Sequence, residues 1–191
     1  MTGGAVRVVA VRHAAVGPAA AGRWAGCRFD PDADPAALWA LRPTLLELAR
    51  AHPPARVVAS PSRRARQTAA LLGRPVEVDA RLAERDFGDW EGLSIAECLA
   101  TVDPDALADA ERYLAIPIPG AEPAASVLAR GRALWEELAA AQGVVWCVGH
   151  GGSVRALIAA ARGVSLAEAF RRPLPPGAVV LLPQAGGPAG A

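Results

Sequence analysis

Apolar residues crowd the start of the chain, where Val6 to Val11 reads V-R-V-V-A-V and predicts a buried strand. The run ends in a cation and an imidazole, Arg12-His13. Far downstream, Val144 to Val148 carries no charge and predicts the most buried strand; it also runs into a histidine, Gly149-His150. Between these two, the pattern alternates. Asp34 followed by Pro35 predicts a helix start, and Leu38, Leu41, Leu45 and Leu48 continue it at helical spacing, with Pro43 expected to kink or split the helix. His52, just past its end, reads as a helix-terminus residue. Arg56 to Ala59 predicts a second strand. Ser60-Pro61-Ser62 then predicts the cap of a helix from Arg63 to Leu72, ended by Gly73. Val76 to Val78 is a short strand that enters an irregular stretch, Arg81 to Gly92.

Ser94 to Ala115 predicts helical pieces interrupted at Asp103-Pro104, and Ile116 to Pro123 is a turn-rich connector. A long helix follows over Ala124 to Gln142, with Val127, Leu134 and Leu138 on its buried face. Ser153 predicts the opening of a helix that Gly163 stops, and Ser165 to Glu168 has capping-box spacing. Ala178 to Leu182 predicts a last strand, at the sheet edge. Strands alternating with helices predict an α/β fold: a doubly wound, mostly parallel sheet flanked by helices, with a small helical insertion over the active-site edge. Residues 1–182 form the expected single domain, with 93–123 the inserted lobe and 183–191 a frayed tail.

Composition narrows the chemistry. Of 191 residues 52% are hydrophobic, which predicts a globular chain, and a net charge of +1 offers no attraction for nucleic acid or an anionic membrane. There is no lysine, so all 20 basic residues are arginine. That excludes a Walker-type phosphate loop and Schiff-base chemistry, and leaves anion binding to guanidinium groups, whose planar fork suits phosphate. Cys27, Cys98 and Cys147 lack metal or redox spacing and read as small apolar residues in a reducing cytosol. No signal peptide and no membrane-length apolar run is evident, so a cytoplasmic protein is expected.

His13 and His150 each follow a strand, where open α/β sheets bind ligands. Arg12 precedes the first. Gly151-Gly152 follows the second at a helix start, where free amides face an anion. Arg63, Arg64 and Arg66 place three cations in a helix's first turn, against its dipole, so at least one is expected to face a bound phosphate. Glu84 lies on the irregular loop, and the long segment from 14 to 34 reads as a functional loop. Two imidazoles, guanidiniums, helix amides and a lone carboxyl group suit a phosphate dianion. An imidazole can attack phosphorus, and a carboxyl group can protonate the leaving alkoxide.

Four blocks in order, V-R-H-A, S-P-S-R-R-A-R-Q-T-A, E-R-D-F-G-D-W-E-G and V-G-H-G-G, resemble the histidine phosphatase superfamily, also called phosphoglycerate-mutase-like. The resemblance runs from Val11 to Gly152. It implies His13 as nucleophile, Arg12 and Arg64 as phosphate ligands, and Glu84 as proton donor, with Glu122 the next acid to consider. His150, with Gly151, would hold the transferred phosphoryl group. It implies no metal and no cofactor.

Many members read R-H-G-E-[ST]-x-x-N, whereas this chain reads Arg12-His13-Ala14-Ala15-Val16, which argues against a mutase. The short form, with Gly22-Arg23-Trp24-Ala25-Gly26-Cys27, is similar to the alpha-ribazole phosphatase branch, which acts in cobalamin assembly. Ile118-Pro119-Gly120-Ala121-Glu122 resembles the family's P-G-G-E-S segment, from which Ala121 and Pro123 depart. The expected activity is thus phosphomonoester hydrolysis through a phosphohistidine, on a small metabolite such as alpha-ribazole 5'-phosphate. The alternatives are another small phosphomonoester, a phosphoglycerate-mutase-type transferase and a non-catalytic phosphate-binding domain. A metal hydrolase lacks the histidine spacing it needs, and a dinucleotide-binding domain lacks its glycine fingerprint. The expected partner is a small phosphorylated metabolite, with neither nucleic acid nor membrane; the oligomeric state is left open, a homodimer included.

Overall fold

Period-two alternation along the central strands sets the layers. The computed structural model describes residues 6–183. Its strands are β1 (Val6–Arg12), β2 (Pro54–Ala59), β3 (Glu77–Val78), β4 (Val144–Gly149) and β5 (Val179–Pro183). Its helices are α1 (Pro35–Ala51), α2 (Arg63–Ala70), α3 (Ile95–Leu99), α4 (Pro104–Ala108), α5 (Ala110–Leu114), α6 (Ala124–Ala140), α7 (Gly151–Arg162) and α8 (Leu166–Phe170). The strands lie in the order β3-β2-β4-β1-β5. The first four are mutually parallel, and β5 runs antiparallel along β1.

Val8, Ala10, Val58, Val145 and Cys147 face one side of the sheet, where Leu134 and Leu138 of α6 and Val154 and Leu157 of α7 cover them. Val9, Val11, Val57, Trp146 and Val148 face the other, under Leu45 of α1 and Ala65 and Ala69 of α2. Both faces of the central strands are therefore buried, which explains why these strands read as continuous apolar runs rather than as alternating ones. Trp146, fully buried, donates its Nε1–H to the carbonyl of His52 (2.9 Å), which ties the end of α1 to the sheet. Helices α6 and α7 meet closely at Gly131, where a Cβ would lie 2.5 Å from Ala156 Cβ. That contact helps fix α7, and with it the start of α7 at the sheet's carboxyl edge.

Apart from shifts of one or two residues at the ends of β2, β3, α2 and α6, three expectations are answered by the structure as follows. Helix α1 is not split at Pro43. The carbonyl that proline leaves unpartnered, at Trp39, is on a residue 77% exposed, where water can take it. Helix α7 starts at Gly151 rather than Ser153, because His150 occupies the cap position and its N–H donates to Ser153 Oγ (2.9 Å). Pro183 belongs to β5, paired with Val6, instead of opening a tail; the rest of the expected tail, 184–191, lies outside the described residues.

Residues 93–123 contribute α3, α4 and α5. Leu114 of this stretch packs on Val127, Ala156 and Leu166, which seats it over the carboxyl edge of the sheet beside α6, α7 and α8.

Candidate active site

The parallel strands end together, so β1 delivers Arg12-His13, β2 delivers Ser60 and β4 delivers His150 to one edge. The backbone of His13 is pinned on both sides: its N–H donates to Gly149 O and its carbonyl accepts from Gly177 N–H (both 2.9 Å). Its ring Nδ1 lies 2.6 Å from Ala14 O. A carbonyl can only accept, so Nδ1 carries the proton and Nε2 keeps a free lone pair. Thr68 holds that turn in place. Its hydroxyl accepts from Ala14 N–H (3.0 Å) and donates to Arg64 O (2.8 Å). Burial, then the charge of Arg64 and more weakly that of Arg12, pull His13 down to about 3, against a smaller opposing pull from the Ala14 carbonyl. The ring is therefore neutral at neutral pH, as an attacking imidazole must be.

His150 stands edge-on to His13, with ring centroids 5.0 Å apart. Its Nε2 meets Ser60 Oγ (2.8 Å) and Ser62 Oγ (3.2 Å). Burial, and then the charges of Arg64, His13 and Arg12, lower its pKa well below the usual histidine value. Ser62 was expected to cap α2, yet its hydroxyl makes no cap bond. Asp30, from the loop between β1 and α1, takes that place by accepting from Arg63 N–H (2.9 Å).

The three arginines of α2 separate cleanly. Arg63 pairs with Asp32 at the surface and Arg66 is exposed, whereas Arg64 is fully buried. Its Nη1 donates to Asp30 (3.0 Å) and its Nη2 to the carbonyls of Ala25 and Gly26 (2.9 Å each), while its Nε has no partner. Arg12 donates Nη1 to Leu174 O (2.6 Å) and its Nε is likewise buried without a partner. Burial lowers both guanidinium pKa values, and the negative charge of Glu84 opposes this in each. Glu84 is itself 9% exposed and accepts from Arg85 N–H (2.9 Å) and Gly152 N–H (3.0 Å). The second of these bonds requires a glycine, since a Cβ at position 152 would run into Glu84 Oε1. Gly151, buried, lies beside the same carboxylate.

These residues open into a cavity of about 590 Å³. Arg12, His13, Glu84 and Gly151 line it, while Arg64 and His150 lie behind that lining. Trp24, Phe87, Tyr113 and Phe170 also line it, with Arg85 over Phe87 and Arg155 over Phe170. A phosphate ester could thus sit on a cationic floor, in reach of a neutral imidazole and one carboxyl group, with its alcohol among aromatic side chains.

Sequence reasoning passed over Ser60, Asp30, Tyr113, Arg85 and Arg155. A signal existed for Arg155: it lies one helical turn beyond Gly151, on the same face, and its Nη1 donates to Gly151 O (3.1 Å). Glu122 is held by Arg130 through two bonds (2.9 and 3.1 Å) and does not line this cavity. Cys98 and Cys147 are buried as expected, but Cys27 is exposed. It approaches Asp86 and Glu91, and burial followed by these two charges raises its thiol to about 11. Those carboxylates are already engaged, Asp86 by Arg28 and Glu91 by the N–H groups of Cys27, Arg28 and Phe29, so they serve to fold the loop. No helix among the described residues is long and apolar enough to cross a membrane.

Comparison with known proteins agrees with this geometry. The chain is 38% identical over 121 residues to a glucosyl-3-phosphoglycerate phosphatase of Mycobacterium tuberculosis, covering 56% of this chain and 54% of the relative. It thus spans about half the length of the curated relatives it matches. A structure of the mycobacterial glucosyl-3-phosphoglycerate phosphatase complexed with VO3 superposes with a TM-score of 0.72 at 31% identity, over 88% of each chain. Phosphoserine phosphatase from Entamoeba histolytica, with 3-phosphoglyceric acid, shares the fold at a TM-score of 0.71 and 19% identity, over 90% of this chain and 87% of that one. The profile of the histidine phosphatase superfamily (branch 1) matches residues 8–188. Joined to the strand-end histidines and the cationic floor, that match makes the chain a member of the histidine phosphatase superfamily, branch 1.

Proposed function

We propose that the chain is a histidine-dependent phosphatase that hydrolyses a small phosphorylated metabolite through a phosphohistidine. The observation that carries this is the bond from His13 Nδ1 to Ala14 O, which leaves Nε2 free as a nucleophile over a floor of arginines. Nε2 attacks phosphorus as the ester P–O bond breaks, and the leaving alkoxide takes a proton from Glu84, which enters this step as the protonated acid. Arg12, Arg64, His150 and the amide of Gly151 hold the non-bridging oxygens. Water then attacks the phosphohistidine, Glu84 takes its proton, and inorganic phosphate leaves with His13 restored. No step needs a metal.

Two substrates have specific support. The mycobacterial relatives are glucosyl-3-phosphoglycerate phosphatases, which favours a phosphorylated hydroxy acid. The Arg12-His13-Ala14 form and the 22–27 segment favour alpha-ribazole 5'-phosphate, whose flat base suits the aromatic walls. Residues 1–182 are read as one catalytic unit, with 93–123 a lobe that shapes the alcohol side, in a cytoplasmic enzyme. The test is a rapid quench without acid, using ³²P-labelled substrate. Wild type should carry protein-bound phosphate and His13→Ala none; an equal adduct in the variant would exclude His13 as nucleophile. Steady-state rates on the two candidate substrates then choose between them, and faster interconversion of phosphoglycerates than hydrolysis would indicate a mutase.

A further inference from the structure

We infer that Glu91 is a positioning residue for the phosphate-binding arginine: it holds the Arg64 guanidinium in place across the Gly26–Cys27 peptide. The inference rests on the phosphatase reading in one respect only, that Arg64 receives the phosphoryl oxygens.

The first observation is what the carboxylate holds. Glu91 is half-buried and does not line the cavity. Its oxygens gather four backbone N–H groups. Oε1 accepts from Cys27 (2.9 Å) and Phe87 (3.3 Å), and Oε2 accepts from Arg28 (2.8 Å) and Phe29. Three of these donors belong to the loop between β1 and α1, and the fourth to the irregular stretch that carries Glu84. One side chain therefore joins the two segments, through bonds of the strong, charge-assisted kind. The backbone passes close against it: a Cβ at position 26 would lie 2.1 Å from Glu91 Oε1.

The second observation is what lies on the other side of that backbone. A trans peptide carries its N–H and its carbonyl on opposite edges of one rigid plane. The Gly26–Cys27 unit is trans; its N–H donates to Glu91 Oε1, and its carbonyl accepts from Arg64 Nη2 (2.9 Å). Carboxylate, peptide and guanidinium thus stand in series. The carboxylate polarises the N–H, which builds negative charge on Gly26 O and strengthens its bond to the cation.

The third observation is that Arg64 has its protein acceptors in this loop. They are Asp30, Ala25 O and Gly26 O, so α2 supplies the residue and the 25–30 segment directs its head group. The Nε–H is left without a protein partner, a donor for the phosphate. Burial lowers the pKa of this arginine, and the negative charges of Glu84, Asp30 and Glu91 oppose that, in this order. Glu91 thus favours the charged form of the group whose direction it sets.

The experiment is a double-mutant cycle in the full-length protein, read as kcat/KM on p-nitrophenyl phosphate, whose leaving group needs no proton from Glu84. Glu91→Gln keeps the size of the side chain but turns an NH2 group toward backbone N–H groups. With Arg64 present it should lose about 10-fold, as for one charge-assisted hydrogen bond. In the Arg64→Ala background the same change should lose less than about 2-fold, because a residue that acts through Arg64 has nothing left to position. The Arg64 Nε–H resonance in ¹⁵N spectra, assigned by its disappearance in Arg64→Ala, should also shift in Glu91→Gln. Equal losses in the two backgrounds would overturn the inference, and so would no loss with Arg64 present or an unmoved Arg64 resonance. Gly26→Ala pushes the carboxylate away with its charge intact, and its loss should depend on Arg64 in the same way if Glu91→Gln does not fold. Failure of both variants to fold would make Glu91 a support of the whole chain and overturn the inference too. Absence of turnover in wild type would refute the phosphatase reading and leave the cycle to be read on the dissociation constant of inorganic phosphate, so the two failures are told apart.

Discussion

The floor and the wall of the cavity are built by different means. Arg12, His13 and His150 leave neighbouring parallel strands, so the sheet ladder itself sets their spacing. Glu84, Arg85, Tyr113 and Arg155 come from an irregular stretch, a five-residue helix and α7, and side chains hold that assembly together. Arg130 donates to Arg81 O and Ala83 O (2.7 Å each) and pairs with Glu122, which fastens the segment carrying Glu84 to α6. A ladder resists single substitutions, whereas a network of side-chain bonds can be altered one residue at a time. On the proposed function, the phosphoryl chemistry belongs to the floor and the choice of alcohol to the wall.

The sharpest test of that division is the one wall residue proposed to take part in the chemistry. Glu84→Gln should lose about 10²–10⁴-fold on an alkyl phosphate, the range of general acid catalysis, and much less on p-nitrophenyl phosphate, whose leaving group needs no proton. Gly152→Ala should act in the same sense, because its methyl group displaces Glu84 while leaving the floor intact. Equal losses on both substrates would move Glu84 from proton delivery to support. On the floor, Arg64→Ala should lose about 10²–10³-fold on either substrate, comparable to loss of a transition-state donor, whereas Arg63→Ala at the surface should change little. Similar losses for the two arginines would remove the distinction that burial makes between them.

The same contrast decides what could be read from the sequence. The floor was legible because strand and candidate site share one signal: an apolar run that ends in a histidine names both the element and the residue it brings to the sheet edge, as at Val11-Arg12-His13 and Val148-Gly149-His150. Arg64 was legible through its resemblance to a known block, although its three-cation context left Arg63 and Arg66 open. The wall was mostly illegible. Tyr113 reaches the cavity only because the inserted helices fold back over α6 and α8, a packing with no local sequence mark. Arg85 reads as a loop cation until its carbonyl partner, Glu122, arrives from 37 residues away. The capping of α2 by Asp30 is likewise a long-range contact that displaced the obvious local candidate, Ser62. Pro43 is expected to kink or split α1, and the exposure of Trp39, whose carbonyl it leaves without an N–H partner, lets the helix run on unsplit.

Burial of two neutral histidines in the floor also makes stability depend on pH. In the unfolded chain each takes a proton near its ordinary value of 6.5, while in the fold His13 does so only at about 3. His150 is shifted in the same direction by burial and the nearby cations. The unfolded state therefore binds more protons below pH 6.5. The stability is present in full above that value and is lost as pH falls toward 3, at up to about 1.4 kcal/mol per pH unit for each histidine. Urea melts at pH 7.0 and 5.5 should show this fall, and His13→Ala should reduce its slope. A flat profile would mean that the floor is wetter than its geometry shows.

The smallest effect concerns Ser60 and Ser62, and it separates two roles that the sequence could not. As the cap of α2, Ser62 would contribute to stability, and Ser62→Ala would cost about 1 kcal/mol while sparing activity. The geometry points the other way: its hydroxyl lies 3.2 Å from His150 Nε2 and makes no cap bond, since Asp30 already accepts from Arg63 N–H. Ser62→Ala should therefore leave the melting temperature nearly unchanged. Ser60 still holds the ring at 2.8 Å, so kcat/KM should fall only about 2- to 3-fold, less than a full neutral hydrogen bond is worth. Ser60→Ala removes the shorter of the two bonds and should cost about 10-fold. In the double variant, Nε2 of a fully buried imidazole has no protein partner left, and the loss should exceed the product of the single losses. Multiplicative losses would show that the serines act independently of each other. A drop in melting temperature without loss of rate would return Ser62 to the helix cap.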